Sequence, residues 1–215
     1  MRTAAILPVK SFARAKQRLG DAHPDRPRLA AAMVGDVLEA LGGVAGLADL
    51  IVVTAEPAAA AAARAAGAHV VHDSEEAGQS AAAALGIAAA RERGAERVLL
   101  VPGDCPALDP GEVARLLERG EGAVIVPDRH GTGTNALLLA PPDVFAPAFG
   151  PGSFARHAAR ARAAGAVVKV CELPSLGLDV DTPGDLAALR AALAARPGHA
   201  PRTRALLADA APAAA

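Results

Sequence analysis

An alternation constrains this chain more than any single motif. Short apolar runs trade places with longer, Ala-rich segments along most of its length. The runs Ala4–Val9, Leu50–Thr54, His69–Val71, Arg97–Val101, Ala123–Val126, Ala136–Leu139 and Val167–Cys171 read as strands. The segments Arg28–Leu41, Pro57–Ala66, Gln79–Arg93, Pro110–Arg119, Ser153–Ala164 and Pro183–Arg196 read as helices. The first four strand–helix pairs alternate strictly, which is the pattern of βαβ units. The predicted fold class is therefore α/β, Rossmann-like, with a mostly parallel central sheet and helices on both faces.

Local signals mark the boundaries. In "DPGE" (Asp109–Glu112) an Asp cap precedes Pro at the first helical position, and Glu follows three residues after the cap. "DTPGD" (Asp181–Asp185) repeats the device, with Thr182 as cap and Asp185 in the first turn. Gly67 and Gly165 stand where helices should end. A length of 215 residues suits one such domain, placed over residues 1–196. The remainder, 197–215, is Pro- and Ala-rich with no strand after it, and is expected to be loosely attached.

Composition removes several function classes. Hydrophobic residues make up 52% of the chain, so it has the material for a core. With no Trp or Tyr and four Phe, that core is aliphatic, and a base-stacking nucleic-acid platform has nothing to be built from. A formal charge of −1 also argues against nucleic acid as partner. Two distant cysteines, Cys105 and Cys171, make neither a disulfide framework nor a zinc spacing. The first apolar run is too short for a signal peptide or a membrane span, so a soluble, cytoplasmic protein is expected.

In an open parallel sheet, ligands bind beyond the carboxyl ends of the strands. Lys10, Lys16 and Arg18 follow the first strand, a cluster suited to polyphosphate oxygens, although Lys16 and Arg18 also fit a solvated helix face. Gly103 and Asp104 follow the fourth, in "PGDCP". "PDRHGTGTN" follows the fifth, carrying Asp128, Thr132, Thr134 and Asn135 between glycines; such a segment can cradle an anion or simply turn between strands. "LGLDVDTP" follows the last, with Asp179 and Asp181 two apart and so on one side of an extended segment. Asp104, Asp179 and Asp181 are the Mg²⁺ candidates, because that ion takes hard oxygen ligands; Asp181 also fits the helix start at Thr182. "FGPGS" leads into a helix, where Gly150, Gly152 and Ser153 offer free N–H groups to an anion, or Ser153 acts as an ordinary cap. The six histidines show no ligand spacing; His157 fits a surface or core role better than a site role, and Cys105 reads as a packed thiol. Neither GxxxxGK[ST] nor GxGxxG is present.

Five stretches, in order, carry a resemblance: "PVKSFARAKQRL", "VPGDCPAL", "DRHGTGTNALLL", "FGPGSFARH" and "LDVDTPGDL". From Ala4 to Arg196 the chain resembles the phosphoenolpyruvate / 2-phospho-L-lactate guanylyltransferase family of deazaflavin-coenzyme biosynthesis. The resemblance implies a nucleotide-diphospho-sugar-transferase-like fold. It implies that GTP is joined to a phosphorylated three-carbon acid with release of pyrophosphate; the Ala, Arg, Gly and Pro excess, typical of GC-rich bacterial coding, favours phosphoenolpyruvate over 2-phospho-L-lactate and 3-phosphoglycerate. By matching motifs, Asp104, Asp179 and Asp181 would hold Mg²⁺, and Thr134, Gly150 and Ser153 would contact the acid. Lys10, Lys16 and Arg18 would face the triphosphate, with Gly78, Ser80 and Gly103 near the nucleotide. The chain departs from the family at "GQSAA" (Gly78–Ala82), where relatives often carry Leu-Asn, and that bears on base choice. A phosphate monoester is already ionised near neutral pH, since its second pKa is about 6, so the reaction needs no general base and none is conspicuous. Two other readings are a molybdopterin-type or sugar-phosphate nucleotidylyltransferase, against which the glycine-free first loop speaks, and a non-catalytic nucleotide-binding module, against which the full set of carboxylates speaks. The sequence leaves a homodimer open.

Overall fold

A computed structural model describes residues 1–209. The strands are β1 (Thr3–Val9), β2 (Leu47–Thr54), β3 (His69–His72), β4 (Arg97–Leu100), β5 (Gly122–Pro127), β6 (Thr134–Ala140) and β7 (Val168–Val170). The helices are α1 (Arg26–Gly42), α2 (Pro57–Ala65), α3 (Gln79–Glu92), α4 (Pro110–Leu117), α5 (Ser153–Ala163), α6 (Pro183–Ala194) and α7 (Pro201–Asp209). Two short 3₁₀ segments, Phe12–Arg14 and Gln17–Ala22, occupy the cationic loop after β1. No described helix is long and apolar enough to cross a membrane.

The strands form one sheet in the order β3-β2-β1-β4-β6-β5-β7. β1 pairs in parallel with β2 and β4, β2 with β3, and β5 with β7, whereas β6 runs antiparallel to both its neighbours. This reversal matters for function. The start of β6, Thr134 and Asn135, lies at the same rim as the carboxyl ends of the other strands.

Successive strand residues point to opposite faces. From β1, Ala5, Leu7 and Val9 join a core under α1, α2 and α4, while Ala4 and Ile6 join a second core under α3 and α5. Both are mainly aliphatic, with Phe12 in the first and Phe145 in the second as their buried aromatics. A third cluster packs Leu29 and Met33 of α1 against Leu186, Leu189 and Leu193 of α6 and Leu207 of α7.

The expected loose tail is corrected over Pro201–Asp209. There the chain forms α7, held against α1 by the buried Asp36 carboxylate. Asp36 accepts from the Arg202 and Thr203 amides at 3.1 and 2.8 Å. These are free N–H groups at the positive end of a helix, where a carboxylate is favoured. The rest of the predicted tail, residues 210–215, lies outside the described residues.

Candidate active site

The carboxyl rim of β1 to β4 opens onto a cavity of about 540 Å³. Of the residues the sequence singled out, Lys10, Lys16, Gly78, Gly103, Asp104 and Asp181 line it. Arg18, Ser80, Thr134, Gly150, Ser153 and Asp179 are not in its wall.

Lys16 is the hub. Its Nζ lies 2.5 Å from Asp104 Oδ2 and 3.2 Å from Asp181 Oδ1, with the side chain 8% exposed. Burial pulls its pKa down, but the Asp104 and Asp181 carboxylates outweigh that and hold it above the ordinary lysine value. The residue sits in the left-handed backbone region at φ 57°, unusual outside glycine and frequent at functional sites. Arg18, more exposed, donates to the other Asp181 oxygen. Lys10 lines the cavity on the exposed side, with no side-chain partner among the described residues.

The two carboxylate loops meet through the backbone. The Val180 amide donates to the Asp104 carbonyl at 3.1 Å, which fastens the Asp179–Asp181 segment to the loop after β4. Asp181 is free to face Lys16 because the start of α6 uses other groups. Thr182 accepts the Asp185 amide, and Asp185 Oδ2 receives the Thr182 and Asp181 amides. Hydrogen bonds from Thr182, with Arg129 beside it, hold the Asp185 carboxyl below its ordinary range despite its burial. Asp179 turns toward the start of β6, where Asn135 Nδ2 donates to it at 3.1 Å. Burial pushes the Asp179 carboxyl up, Asn135 pulls it back, and the Asp104 and Asp181 charges push it further.

Glycine at 103 keeps this corner close. A Cβ there would stand 2.9 Å from Val34 Cγ2. Cys105 is fully buried beneath, and burial raises its thiol pKa well above the ordinary value, so it is a packed thiol with no nucleophilic role.

A second cluster lies along the same rim. Thr134 Oγ1 is 3.0 Å from His157 Nδ1, and Ser153 is 2% exposed at the first turn of α5. Gly152, in the left-handed region at φ 70°, is the cap, so Ser153 is the first helical residue and not the cap. The Phe154 amide donates to the Thr132 carbonyl at 3.2 Å and joins the loop before β6 to α5. That loop turns on Asp128, whose Oδ1 accepts the His130 and Thr132 amides. Its glycines therefore serve a tight turn first. Ser80 does not reach the cavity, because its hydroxyl accepts the Phe149 amide at 2.9 Å and ties the start of α3 to the loop before α5.

Sequence reasoning missed Asp73 and Glu76 in the cavity wall. It also missed that His157 touches Thr134. The stretch "HDSEEAGQ" signals only polarity, not which carboxylate turns inward.

Asp104 Oδ1 is buried without a partner. Among the described residues, no three His, Cys, Asp or Glu side chains converge closely enough to hold a metal on their own. The donor set thus fits an ion that takes one or two carboxylates and completes its shell with phosphate oxygens and water.

A sheet with this order has the fold of solved nucleotide-diphospho-sugar-transferase-like proteins. A Desulfovibrio desulfuricans protein assigned as a nucleotide-diphospho-sugar transferase superposes with a TM-score of 0.77 at 20% identity, over 97% of this chain and 95% of that one. CMP:2-keto-3-deoxy-manno-octonic acid synthetase, solved with CTP, gives 0.63 at 15% identity, over 91% and 99%. Within that class the family is specific: the "Guanylyl transferase CofC like" family model matches residues 3–191, and the chain belongs to that family. It is 50% identical to phosphoenolpyruvate guanylyltransferase of Conexibacter woesei over 213 residues, covering 96% of each chain. It is 44% identical to the enzyme of that name from Rubrobacter xylanophilus over 196 residues, covering 89% of this chain and 95% of the relative. The protein is a guanylyltransferase.

Proposed function

We propose that this guanylyltransferase transfers the guanylyl group of GTP to phosphoenolpyruvate in a Mg²⁺-dependent reaction in the cytoplasm. The observation that carries the nucleotide half is Lys16 Nζ set between Asp104 and Asp181 in the cavity wall. The choice of acid rests on the relatives' names at 50% and 44% identity.

The phosphate oxygen of the acid attacks the α-phosphorus of GTP. A P–O bond forms there, the bond to the bridging oxygen on the β side breaks, and pyrophosphate leaves with the electron pair. The attacking oxygen is already ionised near neutral pH, because a phosphate monoester's second pKa is about 6. Positioning and charge neutralisation then supply the rate. Mg²⁺ held by Asp104 and Asp181, with Asp179 beside them, would neutralise phosphate charge and bring the two anions together. Lys16 already lies against both carboxylates, and Lys10 and Arg18 extend the positive rim outward to receive the triphosphate. Thr134 and Ser153 offer hydroxyls, and Gly150 and Gly152 backbone amides, as the seat for the acid's carboxylate and phosphate. Asn135 links the two halves through its bond to Asp179.

Pyrophosphate release, measured with purified protein, Mg²⁺, GTP and a panel of phosphoenolpyruvate, 2-phospho-L-lactate and 3-phosphoglycerate, tests the proposal. The expected result is release that needs both Mg²⁺ and phosphoenolpyruvate. Preference for another acid, or equal release without Mg²⁺, would contradict it.

A further inference from the structure

The cavity has an end that the phosphate chemistry does not use. β3 lies three strands from β4 in the sheet order, about 14 Å away at the usual strand spacing. Asp104 marks the β4 end, while Asp73 follows β3 at the other. Asp73 lines the cavity and is 7% exposed, a charged group more than nine-tenths buried. One of its oxygens, Oδ1, accepts the Glu76 amide at 3.1 Å, and the other has no hydrogen-bond partner among the described residues. That oxygen belongs to a side chain in the cavity wall, so it is open to a donor from a ligand. The neighbouring carboxylate, Glu76, is already engaged by Arg14. The same cavity wall carries donors: the Gln79 side-chain amide and the first free amides of α3, whose cap is Gly78.

An acceptor beside donors matches one nucleobase edge. Guanine presents N1–H and the 2-amino group as donors next to the O6 acceptor. Adenine presents an acceptor at N1, which would face the carboxylate and be repelled. We infer that Asp73 is the specificity-determining residue for the nucleotide: its free carboxylate oxygen accepts from the N1–H and 2-amino edge of guanine, with the Gln79 end of α3 serving O6. The assignment rests on the guanylyl-transfer reading above and deepens it. It places the base at the β3 end and the triphosphate at the β1–β4 end of one cavity, so the α-phosphorus falls near Asp104.

The test uses the full chain with Mg²⁺ and phosphoenolpyruvate, and compares kcat/KM for GTP, inosine triphosphate and xanthosine triphosphate. Inosine lacks the 2-amino group, and xanthine carries a carbonyl in its place. For the wild-type protein, GTP should exceed both analogues by about 10- to 100-fold, the usual worth of a paired base-edge contact. Asp73→Asn keeps an oxygen for the Glu76 amide and presents an NH₂ to the base. It should invert the preference toward xanthosine triphosphate and leave KM for phosphoenolpyruvate unchanged. A variant that keeps the wild-type GTP to xanthosine triphosphate ratio overturns the assignment. So does a wild-type protein that uses inosine triphosphate as well as GTP, a result that needs no variant to fold. A wild-type protein that does not turn over GTP at all sinks the guanylyl-transfer reading instead, so the two failures are distinct.

Discussion

His157 receives a hydrogen bond from the Ala148 amide at Nε2, 2.8 Å away. An amide can only donate, so Nε2 carries the lone pair and the ring proton sits on Nδ1. That proton is donated to Thr134 Oγ1, which leaves the threonine hydroxyl hydrogen pointing elsewhere, available to an anion. His157 is thus a positioning residue for Thr134. Complete burial, with the Arg156 and Arg160 charges nearby, lowers its pKa to about 4. In the unfolded chain the imidazole takes a proton near pH 6.5, before the folded one does. Stability should therefore fall as pH drops from about 6.5 to about 4, by about 3 kcal/mol from this residue, and level off below. Urea unfolding at pH 7 and pH 4.5 checks this. The expected outcome is a smaller pH dependence in His157→Gln than in the wild type, and equal dependence would remove His157 as the cause.

α3 carries the base end of the cavity, and its placement depends on one glycine. A Cβ on Gly86 would collide with Ile6 Cγ2 of β1 and stand 3.1 Å from Val53 Cγ2 of β2. Gly→Ala in a helix interior ordinarily gains about 1 kcal/mol. Overpacking a filled core costs about 1–3 kcal/mol, and these strands are central and cannot yield. The collision wins, so Gly86→Ala should lower the urea midpoint and raise KM for GTP more than KM for the acid. A raised midpoint would mean that α3 stands farther from the sheet. The other elements were legible where local chemistry fixes them. Asp109 and Thr182 cap α4 and α6 as their sequences announce. All seven strands lie where aliphatic runs predicted them. α7 was not legible, because "PRTRALLAD" has no cap of its own, and its anchor, Asp36, lies 166 residues away from Arg202. The 3₁₀ segments in the cationic loop were equally hidden, since their shape follows from where Lys16 must reach.

At the scale of the whole molecule, one reversed strand organises the site. Because β6 runs against its neighbours, the Thr134 cluster and the Asp104–Asp181 cluster share a rim, and Asn135 joins them. The sequence marked both clusters, since each follows a strand end. It did not show that Lys16 lies between the carboxylates, because ion pairs across 88 and 165 residues leave no local trace. Nor did it show that Ser80 is spent on the Phe149 amide, for the same reason. Asp104, whose second oxygen is buried and unmet, is the residue on which transfer should depend most. The most direct measurement is steady-state turnover of GTP and phosphoenolpyruvate by Asp104→Asn, with the far-ultraviolet circular dichroism and melting curve recorded beside it. The metal role of Asp104 requires a fall of about 100-fold or more in kcat with the fold intact. Turnover within a few-fold of the wild type would contradict it.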